Sequence, residues 1–273
     1  MKRGSCLVVA FVMILSCLMP DAGALLFFGH AFAQDAKSEA PRITATEPAA
    51  LTSGSKVTFK VRGFELKGAT ELRFINAGEA AASEPVAAPI SVEIKETKEA
   101  GQAKGLDNKL VGDTQLVADL TLPADLAAGL WEYVIVTPAG EAKGKISVLA
   151  ADSVIDEKEP NNGFLEAQEL PAGKFARGSI QGDKDVDVFA FPAQAGQALK
   201  ITVTSGGPLL IDAQLDCYDS RGQFLAASDD DQSRDPVVTF KAQADGMVYM
   251  CISSAHDIGG EWHSYQLAVE EVK

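Results

Sequence analysis

The sequence predicts an all-β protein in which a cleaved signal peptide precedes two β-sandwich domains, the second of them jelly-roll-like. Three observations carry this. Short apolar runs alternate with polar residues at a period of two, turn residues separate the runs, and no stretch shows helical periodicity of useful length. A chain of 273 residues has room for two domains of ordinary size. Aromatic residues make up only 7% of it, so the cores must be built mainly from Val, Leu, Ile and Ala.

Taken in order, the N-terminus comes first. Lys2 and Arg3 form a charged start, residues 7–18 an apolar stretch, and Ala31-Phe32-Ala33 places small residues where a signal peptidase reads them. Residues 1–33 are therefore read as a signal peptide, and no membrane span is expected after processing. The apolar stretch is broken by Pro20, Asp21 and Gly23, and its clean run falls short of the roughly 20 residues of a spanning helix. Two alternatives stay open: a retained anchor, and lipid attachment at Cys17, since Ile14-Leu15-Ser16-Cys17 loosely resembles a lipobox. Leu18-Met19-Pro20 is unlike the polar tether that lipoproteins use. The expected location is secreted, periplasmic or on the bacterial cell surface.

Removing two basic residues and one acidic residue takes the net charge from −14 to −15. Such a surface repels nucleic acid and anionic membranes and favours cations, so nucleic acid is excluded as a partner. Cys217 and Cys251 remain in a setting that permits disulfides. Strand parity puts Cys217 inward and Cys251 outward, which argues against a bridge without closing the question.

Residues 34–41 read as a leader and 42–150 as the first sandwich. Its strands are expected at 57–63, around Leu72 and Phe74, around Val92 and Ile94, at 116–122, at 129–136, and around Ile146 and Val148. Residues 77–89 and 98–109 read as loops. Residues 151–160, rich in Asp and Glu and ending at Pro160, read as a hinge. The second sandwich occupies 161–273, with strands at 178–180, 186–191, 198–204, 211–218, 237–240, 247–252 and 265–269. Turns such as Ala195-Gly196-Gln197 and Asp219-Ser220-Arg221-Gly222 separate them.

No catalytic motif is visible. After processing only His256 and His263 remain, both in one loop, and neither has an HExxH, a Cys/His zinc spacing or a GxSxG elbow beside it. Trp131 reads as core, and Trp262 lies in the other domain, so no aromatic-lined cleft is evident. Paired carboxylates are plentiful, which keeps a hydrolase with an acidic site open as an alternative. Asp229-Asp230-Asp231 with Asp235 reads as a solvated loop, with a second metal site as the rarer alternative.

In the first domain, Pro41-Arg42-Ile43, Glu47-Pro48, Gly54 and the strand before Ala139-Gly140 resemble the IPT/TIG group of immunoglobulin-like domains. The pattern at 155–273 is more specific. It runs Glu159-Pro160-Asn161-Asn162, Gly178-Ser179-Ile180, Asp185-Val186-Asp187-Val188-Phe189, Ala195-Gly196-Gln197, Leu215-Asp216-Cys217-Tyr218-Asp219, Asp245-Gly246, and finally Tyr265-Gln266-Leu267. In that order and spacing it resembles the bacterial pre-peptidase C-terminal (PPC) domain, an accessory or binding module of exported proteins and a relative of clostridial collagen-binding domains. The resemblance implies a calcium site from Glu157, Glu159, Asn161, Asn162, Asp185, Asp183 and Asp187. Hard oxygens on two converging segments are what calcium takes. The same residues also read as plain outward strand positions and a turn, and Gly163 supplies no oxygen where one would help. Collagen binding is not carried over, because no aromatic surface is identifiable.

The expectation is thus an exported, non-catalytic binding or scaffolding protein. Its partner would be an extracellular or envelope protein or polysaccharide, and calcium would stiffen the start of the second module. A pure structural spacer is a further alternative.

Overall fold

The computed structural model describes residues 40–76, 89–231 and 233–272. The signal peptide, the leader up to residue 39 and most of the loop at 77–89 lie outside the described residues.

Among them the protein is all-β, with four sheets. The first half contributes β1 (Arg42–Glu47), β2 (Ala50–Thr52), β3 (Lys56–Phe64), β4 (Glu71–Asn76), β5 (Ser91–Glu99), β6 (Thr114–Thr121), β7 (Gly129–Thr137) and β8 (Gly140–Leu149). These make two four-stranded sheets, β1-β3-β6-β5 and β2-β8-β7-β4. Alternation decides which side chains fill the space between them: Phe59 and Val61 from β3, Leu116, Ala118 and Leu120 from β6, Trp131, Tyr133 and Ile135 from β7. Phe59 meets Tyr133 edge-on at 5.5 Å. Trp131 is core, as its strand parity predicts.

The second half contributes β9 (Val154–Asp156), β10 (Gln168–Glu169), β11 (Phe175–Ser179), β12 (Val186–Ala193), β13 (Ala198–Ser205), β14 (Ala213–Tyr218), β15 (Phe224–Ser228), β16 (Val237–Lys241), β17 (Gly246–Ser254) and β18 (Ser264–Glu271). They form two five-stranded sheets, β10-β12-β17-β14-β15 and β16-β13-β18-β11-β9. Between them lies a core that includes Phe189, Phe191, Ile201, Leu215, Met250, Ile252, Tyr265 and Leu267.

Several segments differ from expectation. Within the stretch read as a hinge, residues 151–153 form a 3-10 turn and Val154–Asp156 pairs in parallel with Phe175–Arg177. Ile155 packs on the core, which holds this segment in the sheet. In the stretch read as the second loop, β5 continues to Glu99, and Asn108–Val111 closes one helical turn, α1, capped by the Asp107 carboxylate. Before β14, Pro208–Ile211 forms another turn, α2, with Pro at its start and Asp212 in the left-handed region at φ 44°. Asp235 is half-buried rather than fully solvated: it accepts from the Ser205 amide at 3.1 Å and the Ser205 hydroxyl at 2.5 Å, and burial raises its pKa. Cys217 and Cys251 are free thiols on opposite faces of one sheet, Cys217 across from Met250 and Cys251 across from Asp216.

The two halves pack against each other directly. Ala45, Ala103, Val111, Leu210 and Trp262 make a third apolar cluster. The Thr46 amide donates to Gly206 O at 2.6 Å, and Ser264 Oγ donates to Thr46 O at 3.3 Å. Arg177 Nη1 donates to Thr52 Oγ1 at 3.1 Å, and Lys60 pairs with Glu261 at 2.9 Å. At the contact, Gly206 is glycine for want of space: a Cβ there would stand 2.1 Å from Thr46 O. Gly206→Val is expected to destabilise the chain by about 1–3 kcal/mol through overpacking. Chemical denaturation would read it; an unchanged midpoint would show that the two halves are not held together here.

Arg62 completes this junction. It is fully buried on β3 and donates to Val111 O (3.2 Å), Gly112 O (3.1 and 2.9 Å), Gly101 O (2.9 Å) and Asn108 Oδ1 (2.8 Å). Its guanidinium lies 5.9 Å from the Trp262 ring centroid. A planar fork of five N–H donors suits this cluster of backbone acceptors, and no lysine could copy it.

Candidate metal centre and surface sites

The acidic cluster forms where the chain enters the second pair of sheets. Glu157 follows β9, and its Oε2 accepts from the Ser179 amide at 2.8 Å. Glu159 folds back so that its Oε2 accepts from the Asn161 amide at 3.1 Å. Asp187 comes from β12. It is fully buried, and Tyr265 donates its hydroxyl to Asp187 Oδ2 at 2.6 Å.

One carboxylate oxygen from each of Glu157, Glu159 and Asp187 lies within 4.8 Å of the others, a set that could hold a metal ion. The side-chain amide of buried Asn161 stands 3.0 Å from Glu159 Oε2 and 3.3 Å from Asp187 Oδ1. With its nitrogen on that side it donates to both carboxylates; with its oxygen there it adds a fourth oxygen to the set. Asn162 repeats the arrangement, its amide 2.9 Å from Asp185 Oδ1 and 3.0 Å from Val186 O.

Of the seven residues the sequence nominates, the structure brings Glu157, Glu159, Asn161 and Asp187 together. Asn162 and Asp185 lie beside them, and Asp185 also accepts from the Gln181 amide at 2.7 Å, closing the turn before β12. Asp183 points elsewhere: its carboxylate pairs with Lys104 at 2.5 Å.

The electrostatics follow from this crowding. Burial pushes the Asp187 carboxyl up to about 8, partly countered by the Tyr265 hydroxyl, and the charges of Glu157, Asp185 and Glu159 push it the same way as burial. Glu157 is raised as well, by burial first and then by Glu159 and Asp185. Gly178 makes room for the group, since a Cβ there would stand 2.4 Å from the Tyr265 hydroxyl and 2.7 Å from Glu157 Oε2. On its far side the turn at 181–185 lies against the loop at 255–263. The Lys184 amide donates to Asp257 O at 3.1 Å, and a Cβ on Gly259 would collide with Gly182 O at 2.2 Å.

The histidines separate. His256 is part-exposed and its Nε2 lies 3.2 Å from Asp212 Oδ2. His263, placed by the sequence in one loop with His256, is buried beside the junction with neither ring nitrogen bonded, and burial lowers its pKa. No serine or cysteine side chain is hydrogen-bonded to either ring among the described residues.

An aromatic surface that the sequence reading missed lies on the outer face of the β10-β12-β17-β14-β15 sheet. Phe164 stacks on Tyr249 at 4.5 Å and tilts against Tyr218 at 5.4 Å, and Phe224 continues the row 5.9 Å beyond Tyr218. Phe224 is 61% exposed, and Leu165 beside Phe164 is fully so. Parity places Tyr218 and Tyr249 outward on adjacent strands, the signal that could have found them; Phe164 belongs to no strand.

No family model matches the chain. It is 36% identical over 108 residues to a probable subtilase-type serine protease of Deinococcus radiodurans, a match covering 37% of this chain and 15% of that protein. The chain therefore spans a small part of that relative's length. Among solved structures, it resembles the pre-peptidase C-terminal domain of a Bacillus anthracis collagenase, at 17% identity over 42% of this chain and all of that one, with a TM-score of 0.34. It also resembles the secreted serine protease VesC of Vibrio cholerae, at 8% identity over 85% of this chain and 51% of that one, with a TM-score of 0.28. Both structural likenesses are weak. No helix among the described residues is long and apolar enough to cross a membrane.

Proposed function

We propose that the chain is an exported, non-catalytic binding or scaffolding protein whose second half, residues 161–273, is a calcium-stabilised module of the pre-peptidase C-terminal type. In this reading residues 1–33 direct export, 42–150 form an immunoglobulin-like spacer, and 151–160 lead into the module. The observation that carries it is the convergence of Glu157, Glu159 and Asp187 with the Asn161 amide. Three carboxylates this close repel one another, one of them in a fully buried position, and a hard cation relieves that repulsion. The match to a stretch amounting to 15% of a subtilase-type protease fits an accessory module that travels with exported enzymes.

The ligand surface in this reading is the row Phe164, Tyr249, Tyr218 and Phe224, and the partner an envelope or extracellular protein or polysaccharide. Stacked rings with one exposed edge suit either sugar faces or apolar side chains.

Calcium is the test of the module. Ion at a hundred times its dissociation constant adds about 2.7 kcal/mol to stability, so the melting midpoint should rise by several degrees. Glu159→Gln with Asp187→Asn should abolish the rise. An unchanged wild-type midpoint in millimolar calcium sinks the metal reading, and turnover of any glycan or peptide in a broad substrate screen sinks the non-catalytic one.

A further inference from the structure

His263 is 5% exposed, both of its ring nitrogens are shut off from solvent, and neither has a hydrogen-bond partner. The Gly260 backbone lies near the ring without closing a hydrogen bond. A neutral imidazole can be held in such a place at a cost, but an imidazolium, with a charge and two N–H groups to satisfy, cannot. Burial lowers the pKa from the ordinary 6.5, with the Gly260 backbone and Asp183 opposing it and Lys104 adding to it. Lys104 comes from the loop at 101–112 and Asp183 from the turn at 181–185, and the two pair with each other rather than with the ring. In its own loop Glu261 pairs with Lys60, His256 pairs with Asp212, and Asp257 is exposed.

His263 sits among residues that join the two halves. On one side of it in the chain, Trp262 packs with Ala45, Ala103 and Val111; on the other, Ser264 Oγ donates to Thr46 O. Ile258 fills the space over Gly105, where a Cβ would stand 2.4 Å from its Cδ1. The ring therefore cannot reach water while these neighbours stay seated. We propose that His263 is an acid-sensitive latch on the junction: on taking up a proton the imidazole turns out into water and draws the loop at 255–263 off the first half, while both sandwich cores stay folded. Above 6.5 the ring is neutral in the closed and opened forms alike. As pH falls below that value the opened form takes up a proton that the closed form resists, and the junction weakens. The acidic cluster acts in the opposite direction, since Asp187 loses stability as pH rises. A global midpoint mixes the two effects, and a local measurement separates them.

Hydrogen exchange on the whole chain tests this, with wild type and His263→Phe compared at the same pH so that intrinsic exchange rates and the acidic cluster cancel. At about pH 5 the wild-type amides at 101–112 and 255–263 should exchange roughly tenfold faster than those of the variant, and at about pH 7.5 equally fast. Core amides in β6, β7, β13 and β17 should not differ. His256→Gln keeps the buried ring and should behave as wild type. Should His263→Phe fold poorly, the carbon-bound ring protons of His263 in the wild type give a second measurement. They should titrate below 6.5, in step with the amides of Gly259 and Trp262. A ring that titrates at or above that value, equal loop exchange in wild type and His263→Phe at pH 5, or acid-induced exchange spread evenly through the cores would each overturn the proposal.

Discussion

Arg62→Met is expected to cost about 3–5 kcal/mol of stability, more than any ordinary surface substitution in this chain. The arginine donates at once to the carbonyls of Gly101, Val111 and Gly112 and to Asn108 Oδ1, although Thr44 Oγ1 also reaches Val111 O at 2.6 Å and the Ala103 amide also reaches Asn108 Oδ1 at 2.9 Å. Methionine fills part of the space but donates nothing, so several enclosed acceptors lose a charged partner at once. The loop at 101–112, which that fork holds in place, carries Ala103 and Val111 against Trp262 of the other half. The loss should therefore appear as a lower unfolding midpoint and as new proteolytic cuts in 101–112. Arg62→Lys should recover little, since an ammonium reaches fewer of these acceptors in one geometry. A loss under 1 kcal/mol would mean that the loop finds other partners.

The second large effect expected, on the proposed calcium site, is that the ion opposes the protein's loss of stability with rising pH. Asp187 has a folded-state value of about 8, against an ordinary carboxylate value near 3.8. The folded chain therefore holds a proton that the unfolded chain has released, across roughly pH 4 to 8. The stability this contributes is fully present below that window and is lost as pH rises through it. Raised Glu157 adds in the same direction. Without metal, the midpoint should fall between pH 5 and pH 8 on account of these groups. Calcium requires the carboxylates ionised, so its stabilisation should grow over the same interval. Titration calorimetry near pH 6.5 in buffers of different ionisation enthalpy should show protons released on binding. A calcium effect that is the same at pH 5 and pH 8 would place the ion elsewhere.

How far the sequence shows this molecule depends on what covers each face. Strands such as β6 and β7 are plain, because alternation reports the contrast between core and water. It does not report contact between one half and the other. Arg62 and Gln266 hold polar parity positions that should meet solvent, yet each is covered by the opposite half or by the loop at 101–112. β9 has only three residues beside an acidic run, so composition marks it as linker although parallel pairing makes it strand. At the candidate site, it is the resemblance to the pre-peptidase C-terminal pattern that nominates Glu157, Glu159, Asn161 and Asp187 together with Asn162, Asp183 and Asp185. Asp183 has the same chemistry, and only the position of Lys104 across the junction separates it from them.

The turn at 181–185 thus faces two ways. One flank leads into Asp187 and carries Asp185; the other rests under Gly259 and, through Asp183, grips Lys104. Whatever tightens the carboxylates also limits how far that turn can swing, and so how freely the first half can rock on the second. Ion occupancy at the proposed site would then act on the turn that both halves share as well as on the carboxylates themselves.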